Sequence, residues 1–141
     1  KSPRNLGKCE GYSHEAKGYN PLCGDKVHVY LKLNTEKKVE NLTFEGDGCA
    51  ISLASASIMT ELVKGRSIND TKEIMSAFLN MIKNTSEMNS NHLDDDQKTK
   101  IMSLSGVKQF PMRVKCATLS WHTLNSAMDE KKEAVNTEVM D

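Results

Sequence analysis

Residues 27–33 read Val-His-Val-Tyr-Leu-Lys-Leu, and this alternation decides the fold. Val27, Val29, Leu31 and Leu33 project to one side of an extended chain and His28, Tyr30 and Lys32 to the other, the pattern of a strand with one buried face. "NTEKK" (34–38) reads as a turn, and "VENLTFEG" (39–46) as a second strand with Leu42 and Phe44 inward, so the pair is expected to be an antiparallel hairpin. "GDGC" (46–49) is a glycine-flanked turn, and "CAISLASASIMTELVKG" (49–65) a helix rich in small residues that ends at Gly65. Asp70 and Glu73 resemble a capping box ahead of Ile74, Phe78 and Ile82, which share one helical stripe. Pro111 suits a first helical position, and Val114, Ala117, Trp121, Leu124 and Met128 then recur at amphipathic-helix spacing. Helices are therefore expected at about 50–64, 70–82 and 111–128. Strands followed by helices predict an α+β fold, a small antiparallel sheet with helices packed on one face.

Around this frame the sequence predicts little order. Residues 1–20 form a polar N-terminal segment without clear periodicity, 83–100 a polar loop or insertion, and 129–141 a charged tail that frays. With 141 residues the chain is expected to be one domain, 1–141. Lys plus Arg equals Asp plus Glu at 19 each, a formal net charge of zero, which offers no basic field for nucleic acid and no polybasic membrane patch. No apolar run approaches the roughly 20 residues of a membrane span, and no export signal is visible. The expectation is a soluble, cytoplasmic protein with reduced thiols, its four cysteines serving metal or chemistry rather than disulfides.

Three of those cysteines stand at element junctions. Cys23, in "NPLCGD" (20–25), precedes the hairpin, Cys49 links hairpin to helix, and Cys116 lies in the first turns of the last helix. Junctions at one end of such a fold can converge, and Asp25 would complete four ligands. Three thiolates and a carboxylate suit tetrahedral zinc, with bonds of about 2.3 Å to sulfur. Each cysteine taken alone could equally be an inert, buried small hydrophobe. Arg113 and Lys115, near Cys116, could offset the negative charge of such a site, and Arg113 could reach Asp25. Cys9 lies outside this pattern and is expected to be a free thiol.

"NPLCGD", "FEGDGCAISLASASIMTE" and "GVKQFPMRVKCATLSWHTL" together resemble the IscU/NifU N-terminal family of iron–sulfur cluster assembly proteins, most closely its SufU branch. The likeness runs from about Pro3 to Met128. Lys115 stands where IscU-like scaffolds carry a histidine, and an insertion of roughly twenty residues, Met81 to Leu104, separates the second helix from the last. Members usually begin with a helix ahead of "SPRN" (2–5), which in this sequence starts one residue after Lys1. The resemblance implies the SufE/NifU-like, IscU-like fold, with zinc held by Cys23, Asp25, Cys49 and Cys116. It implies a zinc-dependent sulfurtransferase that takes persulfide sulfur from a SufS-type cysteine desulfurase onto Cys23 and passes it to a downstream Fe–S assembly complex. Cysteine thiolates also suit iron, so the alternative is a scaffold building a [2Fe–2S] cluster on the same residues.

Overall fold

The structure is a computed structural model, and it describes residues 6–7, 10–21, 24–83, 94–104, 110–129 and 135–136. The hairpin forms as read. Strands β2 (Asp25–Leu33) and β3 (Val39–Asp47) pair antiparallel, with Val29 opposite Phe44 and Leu31 opposite Leu42. The turn at 34–38 is held by Asn34, whose Oδ1 accepts from the amides of Glu36 and Lys38, while Lys37 takes a positive φ of 61°.

A further strand, β1 (His14–Asn20), precedes the hairpin and pairs antiparallel with β2, from His14 opposite Leu31 to Asn20 opposite Asp25. Part of the segment expected to lack periodicity is thus a full strand. Its inward residues are Ala16, Gly18 and Asn20, too small or polar to produce an apolar alternation. They are small because helix α4 (Pro111–Met128) lies directly on them: a Cβ on Gly18 would fall 2.2 Å from Thr123 Oγ1. The C-terminal segment departs from expectation too. Val135 and Asn136 form β4, parallel to β1 at Gly18 and Tyr19, giving the sheet order β3-β2-β1-β4. At the opposite edge Leu6 bridges Phe44, and the Gly7 amide donates to the Phe44 carbonyl at 2.7 Å.

Helices α1 (Ala50–Val63) and α2 (Ile68–Lys83) match the expected segments closely. The start of α2 is corrected. Ser67, not Asp70, caps it, its hydroxyl accepting from the Asp70 amide at 3.1 Å, which puts Asp70 in the first turn where it favours the helix dipole. The insertion contributes α3 (Asp95–Met102), closed by a capping box between Asp94 and Gln97 and bound to α1 by Lys100 on Glu61 at 2.9 Å. Through Ile101 and Leu104 it joins the core.

Helix α4 crosses β1 and β2, α1 packs beside it on β3, and α2 packs on α4. Between sheet and helices lie Val27, Val29, Leu31, Leu42, Phe44, Met59, Leu62, Phe78 and Trp121. Trp121 is fully buried as expected, stacked on Phe78 at 4.5 Å with its indole N–H on Ser55 Oγ at 3.0 Å. On the opposite face of the sheet Tyr30 is also buried, against Tyr12 and a stacked His28, and its hydroxyl donates to Glu45. Burial and that carboxylate raise its pKa to about 12.

Candidate metal centre

The fold brings three junctions to one end of the sheet. Asp25 opens β2, Cys49 is the N-cap of α1, and Cys116 lies in the second turn of α4. Their ligand atoms, two sulfurs and a carboxylate oxygen, all lie within 4.8 Å of one another. Residues separated by 24 positions (Asp25 to Cys49) and 67 positions (Cys49 to Cys116) in the chain meet because β2 presents Asp25 on the face that both helices cover.

Asp25 is 1% exposed. Its Oδ1 accepts from the Cys49 amide at 2.8 Å, and the Cys49 thiol lies 3.7 Å from its Oδ2. Gly48 makes this approach possible. A Cβ there would sit 2.2 Å from Asp25 Oδ1 and 2.9 Å from Cγ, so any larger residue would occupy the carboxylate's place. The Cys49 sulfur accepts from the Ser52 amide at 3.4 Å, at the N-terminus of α1 where the helix dipole stabilises negative charge. Cys116, 2% exposed, has its sulfur on Nδ2 of Asn20 at 3.4 Å.

This donor set fits a divalent cation with affinity for sulfur. Tetrahedral zinc with bonds near 2.3 Å spaces its ligand atoms by roughly 3.8 Å, inside the observed limit. Among the described residues no basic side chain pairs with Asp25. A dry carboxylate without a counter-ion is costly, and a cation held between it and two sulfurs removes that cost.

Of the residues expected at the site, the structure gathers Asp25, Cys49 and Cys116. Cys23 lies outside the described residues, as does Cys9. Cys23 belongs to the connection 21–24 between β1 and β2, which runs from Asn20 to Asp25 and where Gly24 takes a φ of 72°, a conformation open to glycine. Arg113 does not reach Asp25. It is exposed, with its guanidinium 5.6 Å from the centre of the Phe110 ring. Lys115 is half-buried one residue before Cys116. Asn20 was not anticipated as a site residue. It lies within "NPLCGD" (20–25), but an asparagine before a proline reads as a turn former.

The model of the family described as "NifU-like N terminal domain" matches residues 1–133. The protein named "Zinc-dependent sulfurtransferase SufU" of Bacillus subtilis (strain 168) is 39% identical over 132 residues, spanning 94% of this chain and 85% of that protein. The "Iron-sulfur cluster assembly scaffold protein IscU" of Streptococcus pyogenes serotype M1 is 33% identical over 95% of this chain and 80% of its own. The crystal structure of FiSufU from the thermophile Fervidobacterium islandicum AW-1 superposes with a TM-score of 0.78 at 36% identity, covering 88% of this chain and 86% of that one. No helix among the described residues is long and apolar enough to cross a membrane.

Proposed function

This chain belongs to the NifU-like N-terminal domain family, and from that premise we propose that it is a zinc-dependent sulfurtransferase of iron–sulfur cluster assembly. The observation that carries the reading is the convergence of Asp25, Cys49 and Cys116 within 4.8 Å, in a chain 39% identical to a zinc-dependent sulfurtransferase. Cys23, Asp25, Cys49 and Cys116 would hold the zinc. Bound there, zinc keeps the cysteines deprotonated at neutral pH and adds to the stability of the fold.

The roles of the chain's residues follow from how each is held. Cys49 is fixed as a helix cap, with its amide on Asp25 and its sulfur on the Ser52 amide. Cys116 is buried on α4 under Asn20. Cys23 falls in the four-residue connection between Asn20 at the end of β1 and Asp25 at the start of β2, whereas Cys49 and Cys116 are tied to helices. Cys23 is therefore the sulfur acceptor. Its thiolate attacks the terminal sulfur of a persulfide on a SufS-type cysteine desulfurase. A sulfur–sulfur bond forms to Cys23, the desulfurase's own S–S bond breaks, and the desulfurase cysteine departs as thiolate. The perthiol proton stays on the transferred sulfur. Cys23 then passes that sulfur to a downstream iron–sulfur assembly partner. Arg113 and Lys115, three residues and one residue before Cys116 on α4, would contribute positive charge in its neighbourhood.

The match to an IscU scaffold favours a second reading, in which a [2Fe–2S] cluster is the cargo assembled on the same cysteines. Lys115, in place of that branch's histidine, favours the first. The test is to incubate wild type, Cys23→Ala and Asp25→Ala with desulfurase and cysteine, then locate added sulfur by peptide mass spectrometry. Sulfur is expected on Cys23 of the wild type and of Asp25→Ala, which binds metal more loosely, and is lost in Cys23→Ala. Sulfur on Cys49 or Cys116 with Cys23→Ala fully active contradicts the assignment. Iron with acid-labile sulfide and no zinc supports the scaffold.

A further inference from the structure

The two described cysteines of the centre are held differently, and Asn20 makes much of the difference. It is the last residue of β1, fully buried, and forms the closing rung of the hairpin with Asp25. Two residues earlier, Gly18 lets β1 press onto α4, which sets the Asn20 carboxamide against Cys116, 96 positions away. Its Nδ2 donates to the Cys116 sulfur at 3.4 Å, while its Oδ1 is buried and finds no partner among the described residues.

An asparagine before proline serves, in the ordinary case, to shape the turn by bonding nearby backbone. Here the carboxamide gives a donor to the Cys116 sulfur on another element. A hydrogen bond donated to a thiolate draws electron density from sulfur and lowers its nucleophilicity.

We propose that Asn20 is a positioning residue for sulfur transfer, holding Cys116 as a fixed, unreactive ligand so that reaction is confined to Cys23. This rests on the sulfurtransferase reading above. Asn20 acts through Cys116 and touches no substrate.

The test uses Asn20→Leu, which keeps the shape without polar atoms, and Asn20→Asp, which puts an acceptor where the donor stood. The full chain is loaded with Co²⁺, whose sulfur-to-metal charge-transfer absorption reports electron density on sulfur. Both variants are expected to move that band to lower energy. In zinc-loaded protein, alkylation of Cys116 by iodoacetamide, followed by peptide mass spectrometry, should rise about tenfold, the worth of one charge-assisted hydrogen bond, with Cys49 unchanged. Natively folded variants with the wild-type band and the wild-type Cys116 rate overturn the proposal. Should neither variant fold, wild type loaded with a spin-active cadmium isotope decides: the Asn20 side-chain amide proton couples to cadmium through Cys116 if the bond exists, and absence of coupling overturns it. These readouts do not depend on sulfur transfer, so a wild type that takes no sulfur on Cys23 counts against the sulfurtransferase reading alone.

Discussion

Gly48→Ala places a methyl group where the Asp25 carboxylate now lies. The added Cβ would be 2.2 Å from Oδ1, 2.9 Å from Cγ and 3.0 Å from the Asp25 Cα. Restoring ordinary contact moves the carboxylate by about 1 Å, enough to break its 2.8 Å bond from the Cys49 amide. Losing a hydrogen bond to a charged group costs about 1.5–3 kcal/mol, and overpacking a tight site about 1–3 kcal/mol. Partial relief by the shift leaves a net destabilisation of about 3 kcal/mol, or roughly 10 °C in Tm for a chain of this size. Zinc affinity should fall about 10–100-fold, the usual effect of disturbing a ligand's support. Calorimetry on chelator-treated protein reads the first effect and chelator competition the second. In an Asp25→Ala background the contacts with Oδ1 and Cγ are gone, while the contact with Cα and the strain of a side chain at a φ of 158° remain, so the cost of Gly48→Ala should shrink there without vanishing. A Gly48→Ala protein within about 0.5 kcal/mol of wild type and with unchanged zinc affinity would refute the close-approach argument.

Ser55→Ala leaves the buried Trp121 indole N–H without its partner and should cost about 1–3 kcal/mol, read in urea titrations followed by the emission of this single tryptophan. Tyr30 gives a pH signature. Burial and Glu45 raise its pKa from 10.0 to about 12 in the folded state, so its contribution is complete below pH 10 and is lost as pH rises toward 12. Stability of wild type should fall across that window, and Tyr30→Phe should flatten the fall. Removing zinc with a chelator should lower Tm, and free zinc at about 100 times its Kd should restore roughly 2.7 kcal/mol over the metal-free protein. A Tm independent of zinc concentration would contradict binding to the native state.

What could be read from the residues depended on how each element is buried. Strands β2 and β3 show one apolar face, and α1, α2 and α4 are long enough for their pattern to emerge. Strand β1 escaped because its buried positions are Ala16, Gly18 and Asn20, dictated by the close approach of α4 rather than by hydrophobicity. Helix α3 hides in a charged sequence and buries Ile101 alone within its span. Its capping box at Asp94 and Gln97 was the available signal. The two residues of β4 are too short to carry any pattern. At the site, the grouping of Asp25, Cys49 and Cys116, which could hold a metal ion, was legible because an acid and two cysteines stand at element junctions that one end of such a fold brings together. Asn20 was not, since its side chain serves a residue 96 positions away that no local pattern points to.

The central claim is that Cys23, Asp25, Cys49 and Cys116 share one zinc ion, and X-ray absorption at the zinc edge tests it most directly. Protein purified without added metal should contain stoichiometric zinc, with three sulfurs at about 2.3 Å and one oxygen at about 2.0–2.2 Å. Cys23→Ser should lower the count to two sulfurs, and Asp25→Ala should remove the oxygen at the shorter distance or exchange it for water. A shell with fewer than three sulfurs in wild type, or a sulfur count unmoved by Cys23→Ser, would contradict the account.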